Sequence, residues 1–175
     1  MKLMNQENVS LAIDLHEASL EYPVVNAIVA HPLAYDLASE VVLNLQMEGL
    51  EISFEQSPEN LRGLSHREWG DYLQIPAVLL ETASTIHGRY HGKKTAEKII
   101  TGQDDFYLEA ARHYLLKVDY PENGIPLSQR VARHLFSLKK IIEIWNSYHP
   151  NQAIVVQNIP DYYEIMEKGI GAFLK

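Results

Sequence analysis

The sequence contains no cysteine among its 175 residues. Disulfides and thiolate metal sites are therefore excluded, so any metal ion must be bound by histidine and carboxylate side chains. The sequence also lacks an apolar run near the roughly 20 residues that a membrane-spanning helix requires. Residues 1–7 contain no apolar segment of the kind found in signal peptides, and we expect a cytoplasmic protein without membrane contact.

Several catalytic motifs are absent as well. No serine lies in a Gly-x-Ser-x-Gly context, which disfavours a serine hydrolase, and no glycine-rich phosphate loop or dinucleotide fingerprint occurs. The net charge of −8 argues against nucleic-acid binding. Positive charge is local, in the segment His87 to Lys94. That basic loop can attract an anionic group of a substrate, although a solvated loop is the simpler interpretation.

The order of apolar segments predicts an α/β fold. Val9 to Leu15 and Pro76 to Leu80 are short apolar runs typical of buried strands, and Glu51 to Glu55 alternates like an outer strand. Helical spacing occurs in Leu33 to Met47. A short helix is also predicted at Ser65 to Leu73, where Ser-x-x-Glu matches a capping box. Alternating strands and helices predict a mostly parallel or mixed sheet flanked by helices.

After residue 95 the patterns become mainly helical. The predicted elements there are helices at 95–101, 105–117 and 127–148, a short strand at 153–156 and a mostly helical segment at 161–174. No segment has the composition of a linker. We therefore expect residues 1–175 to form a single domain, with an α/β core at 8–95 and a helical flank at 95–175.

Ionisable side chains follow the two predicted buried strands. Asp14, His16 and Glu17 stand where the first strand ends, and Glu81 directly follows the second. Asp14 and His16 are two apart and share a strand face, where a carboxylate can hold the tautomer of the histidine ring and raise its basicity. Ionisable groups delivered by two strands to one sheet edge are typical of α/β active sites. A histidine and a carboxylate placed in this way suggest a metal-assisted hydrolase.

Each of these residues has a structural alternative. His16 can be a hydrogen-bonded residue at a capped strand end, and Glu81 a carboxylate that faces water or an arginine. A glutamate at the mouth of a buried strand is partly desolvated, however, which raises its pKa toward the range useful for a general base. The distance between His16 and Glu81 decides between the two interpretations. Of the other histidines, we expect each to lie in the core or on the surface, His66 being the least clear.

Four motifs together resemble the C-terminal half of zinc carboxypeptidase-like deacylases, of the succinylglutamate desuccinylase and aspartoacylase type. The resemblance covers about residues 8–95. The motifs are Asp14-Leu15-His16-Glu17-Ala18, Glu21-Tyr22-Pro23-Val24-Val25-Asn26-Ala27, Gly63-Leu64-Ser65-His66-Arg67-Glu68 and Leu79-Leu80-Glu81-Thr82.

The resemblance implies a zinc ion held by a His-x-x-Glu pair and by a later histidine, which His16 matches. Glu81 matches the catalytic glutamate, and Asp14 is expected to orient His16. The implied reaction is hydrolysis of an amide in a small acyl-amino acid or a peptide. Zinc polarises the carbonyl and lowers the pKa of a bound water, while Glu81 takes the proton of that water and passes it to the leaving amine.

The sequence departs from this family in one respect that affects function. None of its eight histidines is followed three positions later by a carboxylate, so the His-x-x-Glu pair is absent. The resemblance then implies a domain without its N-terminal part: a truncated product, a gene fragment or one subunit of a split enzyme. One histidine with nearby carboxylates binds zinc weakly. We expect the isolated chain to be inactive or weakly active.

A half-sheet also exposes a strand edge that invites pairing with another chain. We therefore expect the protein to form a homo-oligomer or to associate with the missing N-terminal half. Two other functions remain open. One is a non-catalytic α/β interaction module that keeps the fold without the chemistry, and the other is a domain that binds a small molecule without zinc.

Overall fold

The structure is a computed structural model that describes residue 4 and the ranges 6–60 and 62–174. The described strands are β1 (Ala12–Ser19), β2 (Ala27–Ala30), β3 (Ser53–Gln56) and β4 (Ala77–Ser84). The described α-helices are α1 (Tyr35–Met47), α2 (Ser65–Leu73), α3 (Ala96–Thr101), α4 (Asp105–Arg112), α5 (Leu127–Tyr148) and α6 (Tyr162–Lys168). Short 3₁₀ helices lie at Pro32–Ala34, Pro150–Gln152 and Ile170–Phe173. None of the helices within these ranges combines the length and apolar character needed to cross a membrane.

The strands form one mixed sheet in the order β1-β4-β2-β3. β2 pairs with β3 in parallel and with β4 in the antiparallel direction, and Ala27 of β2 lies opposite both Ser53 and Glu81. Helices flank this sheet, so the predicted α/β class is confirmed. The prediction of an outer strand near residues 51–55 is also confirmed, because β3 lies at one end of the strand order.

The strand ends differ from the prediction. The sequence predicted that the strands end at residues 15 and 80, whereas β1 continues to Ser19 and β4 continues to Ser84. Thr82, Ala83 and Ser84 are all buried, so these small residues extend β4 in spite of their mixed polarity. The predicted strand at 153–156 is wrong, because these residues are exposed and form no strand.

The chain divides into two compact units. Unit 1 comprises residues 1–16, 26–81 and 140–154, and unit 2 comprises residues 17–25, 82–139 and 155–175. One apolar cluster of unit 1 consists of Ala12, Ile75 and Ala77, with Met4, Val9, Trp69 and Leu73 packed against it. The core cluster of unit 2 consists of Leu20, Val25, Ala83, Tyr107 and Ile125. Each unit therefore has apolar packing of its own.

A largely buried ion pair lies within unit 2. The Arg130 side chain is almost completely buried, and its Nη1 donates to both carboxylate oxygens of Glu17 at 2.6 and 2.7 Å. Its Nη2 donates to the carbonyl oxygen of Ile99 at 2.6 Å. A buried guanidinium requires such partners, because removal of one partner leaves an uncompensated charge. Glu17 therefore has a structural role beside Arg130.

The helix α2 is held against the strand region of unit 1 by His31. The His31 ring is buried, its Nε2 lies 3.1 Å from Asp71 Oδ1, and its Nδ1 accepts the N–H of Leu33 at 3.3 Å. The ring lies so close to Gly70 that a Cβ atom there would come within 2.2 Å of it. Glycine is therefore required at position 70 by a close approach rather than by backbone conformation.

We predict that Gly70→Ala destabilises the protein by about 1–3 kcal/mol, because the new methyl group collides with the His31 ring in a packed region. Alanine has a higher intrinsic helix propensity than glycine, which by itself would stabilise the helix. A net loss of stability therefore reports the collision with the His31 ring. Chemical denaturation measures the free energy of unfolding. Gly171→Ala is the control, since its Cβ has no atom within 4 Å, and we expect a change within about 0.5 kcal/mol there.

Candidate active site

The structure brings Asp14, His16 and Glu81 together in unit 1. Asp14 and His16 lie on β1, and Glu81 lies on β4, the neighbouring strand. The His16 ring lies between the two carboxylates, with Nε2 3.0 Å from Asp14 Oδ2 and Nδ1 3.8 Å from Glu81 Oε1. The His16 side chain is 47% exposed, whereas the Glu81 side chain is only 16% exposed. The group is therefore an imidazole open to solvent beside a largely buried carboxylate.

These residues lie within their strands rather than at strand ends. β1 extends three residues beyond His16, and β4 extends three residues beyond Glu81. The expectation that each strand delivers its ionisable group where it ends was therefore wrong. The backbone of each site residue lies in a strand, which makes its position more rigid than a loop would.

Asp14 connects β1 to the first turn of α2. The hydroxyl of Ser65 donates a hydrogen bond to Asp14 Oδ2. The capping-box prediction for this helix is wrong, because the residue at the cap is Leu64 and no side chain caps the helix there. Glu68 instead accepts the N–H of Gly63 at 2.9 Å. Since Asp14 also approaches His16, Ser65 and Asp14 together limit the rotation of the His16 ring.

The environment of Glu81 makes it a suitable proton acceptor. Burial raises the pKa of the Glu81 carboxyl, the positive charge available on His16 acts in the opposite direction, and the negative charge of Asp14 raises the pKa further. The net effect is an increase. Its Oε2 atom is buried and has no hydrogen-bond partner among the described residues. A carboxylate with a raised pKa and a free oxygen is what a general base requires.

His66 is a further ionisable residue in this unit. Its side chain is completely buried, and neither ring nitrogen has a hydrogen-bond partner among the described residues. Burial lowers the pKa of His66 to about 4, although the negative charge of Asp14 acts in the opposite direction. The ring is therefore neutral at pH 7. The sequence left its role open, and the only local signal was its position before β4, in the turn that begins α2.

The described residues do not by themselves fit a complete zinc site. Within the ranges 6–60 and 62–174, no three histidine, aspartate or glutamate side chains are arranged to hold a metal ion. Both nitrogens of His16 lie beside carboxylates, so this ring can supply one ligand. A catalytic zinc site uses three protein ligands and an open position. The ligands beyond His16 would have to come from outside these residues.

Other histidines are engaged away from this group. His31 binds Asp71, and His113 Nε2 lies 2.9 Å from Glu109. His149 stacks on Trp145 with a ring separation of 3.9 Å. Residues 85–94 contain no helix, so His87 and His91 do not lie one turn apart on a helix. These positions agree with the expectation of structural or surface roles.

Comparisons of the chain with models of protein families, with characterised proteins and with solved structures find no match. The resemblance to zinc deacylases therefore depends on the sequence motifs alone. The side chains around His16 and their environment are therefore the basis for inferring a function.

We predict that the stability of Glu81→Gln relative to the wild type increases as the pH rises above 4.5. The folded state raises the pKa of Glu81 above its ordinary value of 4.5, so ionisation at higher pH favours the unfolded wild-type chain. Glutamine does not ionise, so the Glu81→Gln variant does not lose this stability as the pH rises. Well below pH 4.5 the glutamate is protonated in both states, and above its folded-state pKa it is ionised in both, so the difference becomes constant at both ends.

Urea denaturation of both proteins between pH 4 and pH 8, with a chelator present, measures this difference in unfolding free energy. Glu55→Gln, on the edge strand β3, is the matched control and should show no such trend. A difference that is flat across the whole range would contradict the raised pKa of Glu81.

Proposed function

We propose that this chain carries the His16 and Glu81 part of a hydrolase site for amide bonds, of the zinc carboxypeptidase-like deacylase kind. The observation that supports the proposal is the 3.8 Å approach of His16 Nδ1 to Glu81 Oε1 on neighbouring strands. The substrate class would be small acyl-amino acids or peptides, and the expected compartment is the cytoplasm.

The role of Glu81 follows from its environment. Burial brings its pKa closer to neutrality, so the carboxylate is a better proton acceptor than an exposed glutamate. Its unpartnered Oε2 can accept a proton from a water molecule that attacks the amide carbonyl. The protonated Glu81 then returns that proton to the leaving amine, which balances the reaction.

The role of His16 follows from Asp14. A carboxylate accepts but does not donate, so the 3.0 Å contact favours the tautomer in which Nε2 carries the proton. The lone pair of the neutral ring then lies on Nδ1, the nitrogen on the side of Glu81. His16 would therefore offer Nδ1 as a ligand. Zinc remains part of the proposal, with His16 as the one ligand that the described residues supply.

The position of β1 suggests how the site would be completed. β1 is at one end of the strand order, so one side of its backbone has no neighbouring strand among those described. An edge strand is a template for pairing with another chain. We propose that a second copy or a separate N-terminal half adds a strand beside β1. Such a strand would come next to Asp14 and His16.

The catalytic proposal predicts slow hydrolysis of N-acyl amino acids by excess protein at saturating zinc, above the rate of zinc alone. Glu81→Gln should reduce this rate by about 10²–10⁴-fold, the range for loss of a general base. Glu55→Gln should leave it unchanged. Product release is measured by chromatography on N-acetyl and N-succinyl amino acids.

A Glu81→Gln rate equal to that of a measurably active wild type would contradict this assignment. It would favour the alternative of a non-catalytic interaction module, in which Asp14, His16 and Glu81 have only structural roles. A wild-type rate no higher than that of zinc alone agrees with an incomplete site, and zinc binding that His16→Ala leaves unaffected would then contradict the assignment.

The association proposal predicts that the protein self-associates with increasing concentration, as measured by light scattering. Leu15, between Asp14 and His16 on β1, is 46% exposed. Leu15→Lys should weaken association, because a charged side chain on an edge strand opposes pairing. Leu43→Lys on α1, where the leucine is 60% exposed, is the matched control. A wild-type protein that stays monomeric at high concentration excludes the second copy as the partner.

A further inference from the structure

Unit 2 contains a pocket beside α4, with a volume of about 330 Å³. Its apolar lining consists of Tyr90, Phe106, Ala110 and Leu115. Pockets for small molecules are mostly apolar, with a few polar groups, and begin near this volume. The pocket lies entirely within unit 2 and shares no residue with the group around His16.

The apolar side chains that line the pocket include both buried and exposed residues. Ala110 is buried, and the Tyr90 ring packs edge-on against the buried ring of Tyr107 at 6.3 Å. Phe106 and Leu115 are 62% and 48% exposed, which leaves two large apolar side chains open to solvent. Covering these side chains with an apolar ligand would remove their surface from water, and this is favourable.

The backbone of the loop that carries Arg89 is held in place. The N–H of Arg89 donates to Glu21 Oε1 at 2.7 Å. Gly88 has φ +82°, and a Cβ atom there would come within 2.3 Å of the same carboxylate oxygen. Tyr107 also donates to Glu21, at 3.2 Å. The loop is therefore anchored beside the pocket before any ligand arrives.

The charged side chains of the pocket favour an anion. Arg89 lines the pocket, and its guanidinium lies 5.8 Å from the centroid of the Tyr90 ring. His91 and His113 also line it. Glu109 is the one acidic side chain in the lining, and its carboxylate is already approached by His113 Nε2 at 2.9 Å and by Arg112 at 3.5 Å. Arg89 therefore supplies the positive charge of the lining, whereas the carboxylate of Glu109 already has partners.

We propose that this pocket binds a small organic carboxylate with an apolar body. The ring or chain of the ligand would lie against Tyr90, Phe106 and Leu115, with its carboxylate facing Arg89. Arginine matches the planar shape of a carboxylate and offers paired donors to it. The inference does not rest on the function proposed for Asp14, His16 and Glu81, because it uses none of those residues.

The test uses three probes that share one apolar body: 3-phenylpropionate, 3-phenylpropanol and 3-phenylpropylamine. Each is titrated into the ¹⁵N-labelled 175-residue chain and followed by amide chemical shifts. We expect saturable shifts for the carboxylate at Tyr90, Phe106 and Leu115. The alcohol and the amine should bind at least about threefold more weakly, because they lack the charge that Arg89 attracts.

Two variants separate the charge of Arg89 from the general charge of the loop. Arg89→Gln should weaken binding of 3-phenylpropionate by about three- to tenfold, the effect of losing one partly exposed ion pair. Lys94→Gln removes the same charge from the same loop at a residue outside the pocket, and binding should remain unchanged. Thermal unfolding of each variant shows whether the fold is retained.

A third variant tests the location without changing charge. Leu115→Trp places a larger side chain on the rim of the pocket and should reduce binding of the carboxylate. Three results would overturn the proposal: no saturable shift up to the solubility of the probe, equal binding of amine and carboxylate, or shifts confined to residues outside the pocket.

Discussion

The contact of the His16 ring with two different carboxylates is the interaction on which the proposed site depends. Asp14 lies at hydrogen-bond distance from one nitrogen, and Glu81 lies slightly farther from the other. The two carboxylates differ because Asp14 is bonded by Ser65, whereas Glu81 is desolvated and has an oxygen without a partner. One carboxylate therefore holds the ring, and in the proposed mechanism the other exchanges a proton with the substrate.

The order of the strands in the sheet places His16 and Glu81 beside each other. β1 and β4 are neighbours, so two residues far apart in the sequence come within 4 Å of each other. Burial of Glu81 is a cost to stability at neutral pH, of the kind that active sites often carry. Since β1 is at one end of the strand order, no described strand pairs with its other side. The order of the strands therefore accounts both for the contact between His16 and Glu81 and for the side of β1 that no described strand pairs with.

The sequence predicted the parts of the fold that depend on local pattern. The bounds of α5 agree with the prediction because this helix has clear apolar spacing, and those of α2 agree although its capping-box signal was wrong. The ends of β1 and β4 were missed, since the burial of Ser19 and Ser84 depends on tertiary packing. The partner of Ser65 was missed because Asp14 is 51 positions away, beyond the reach of a capping pattern. The sequence left the distance between His16 and Glu81 open as the test between two interpretations, and the burial of His66 has no local signature.

Zinc binding by the purified chain tests the central claim most directly. Calorimetric titration at neutral pH should show one weak site per chain in the wild type, because the described residues supply only one imidazole ligand. His16→Ala should abolish that site, and His113→Ala, which removes an exposed histidine directly after α4, should leave it intact. Zinc binding that is unaffected by His16→Ala would contradict the assignment of His16 as a ligand.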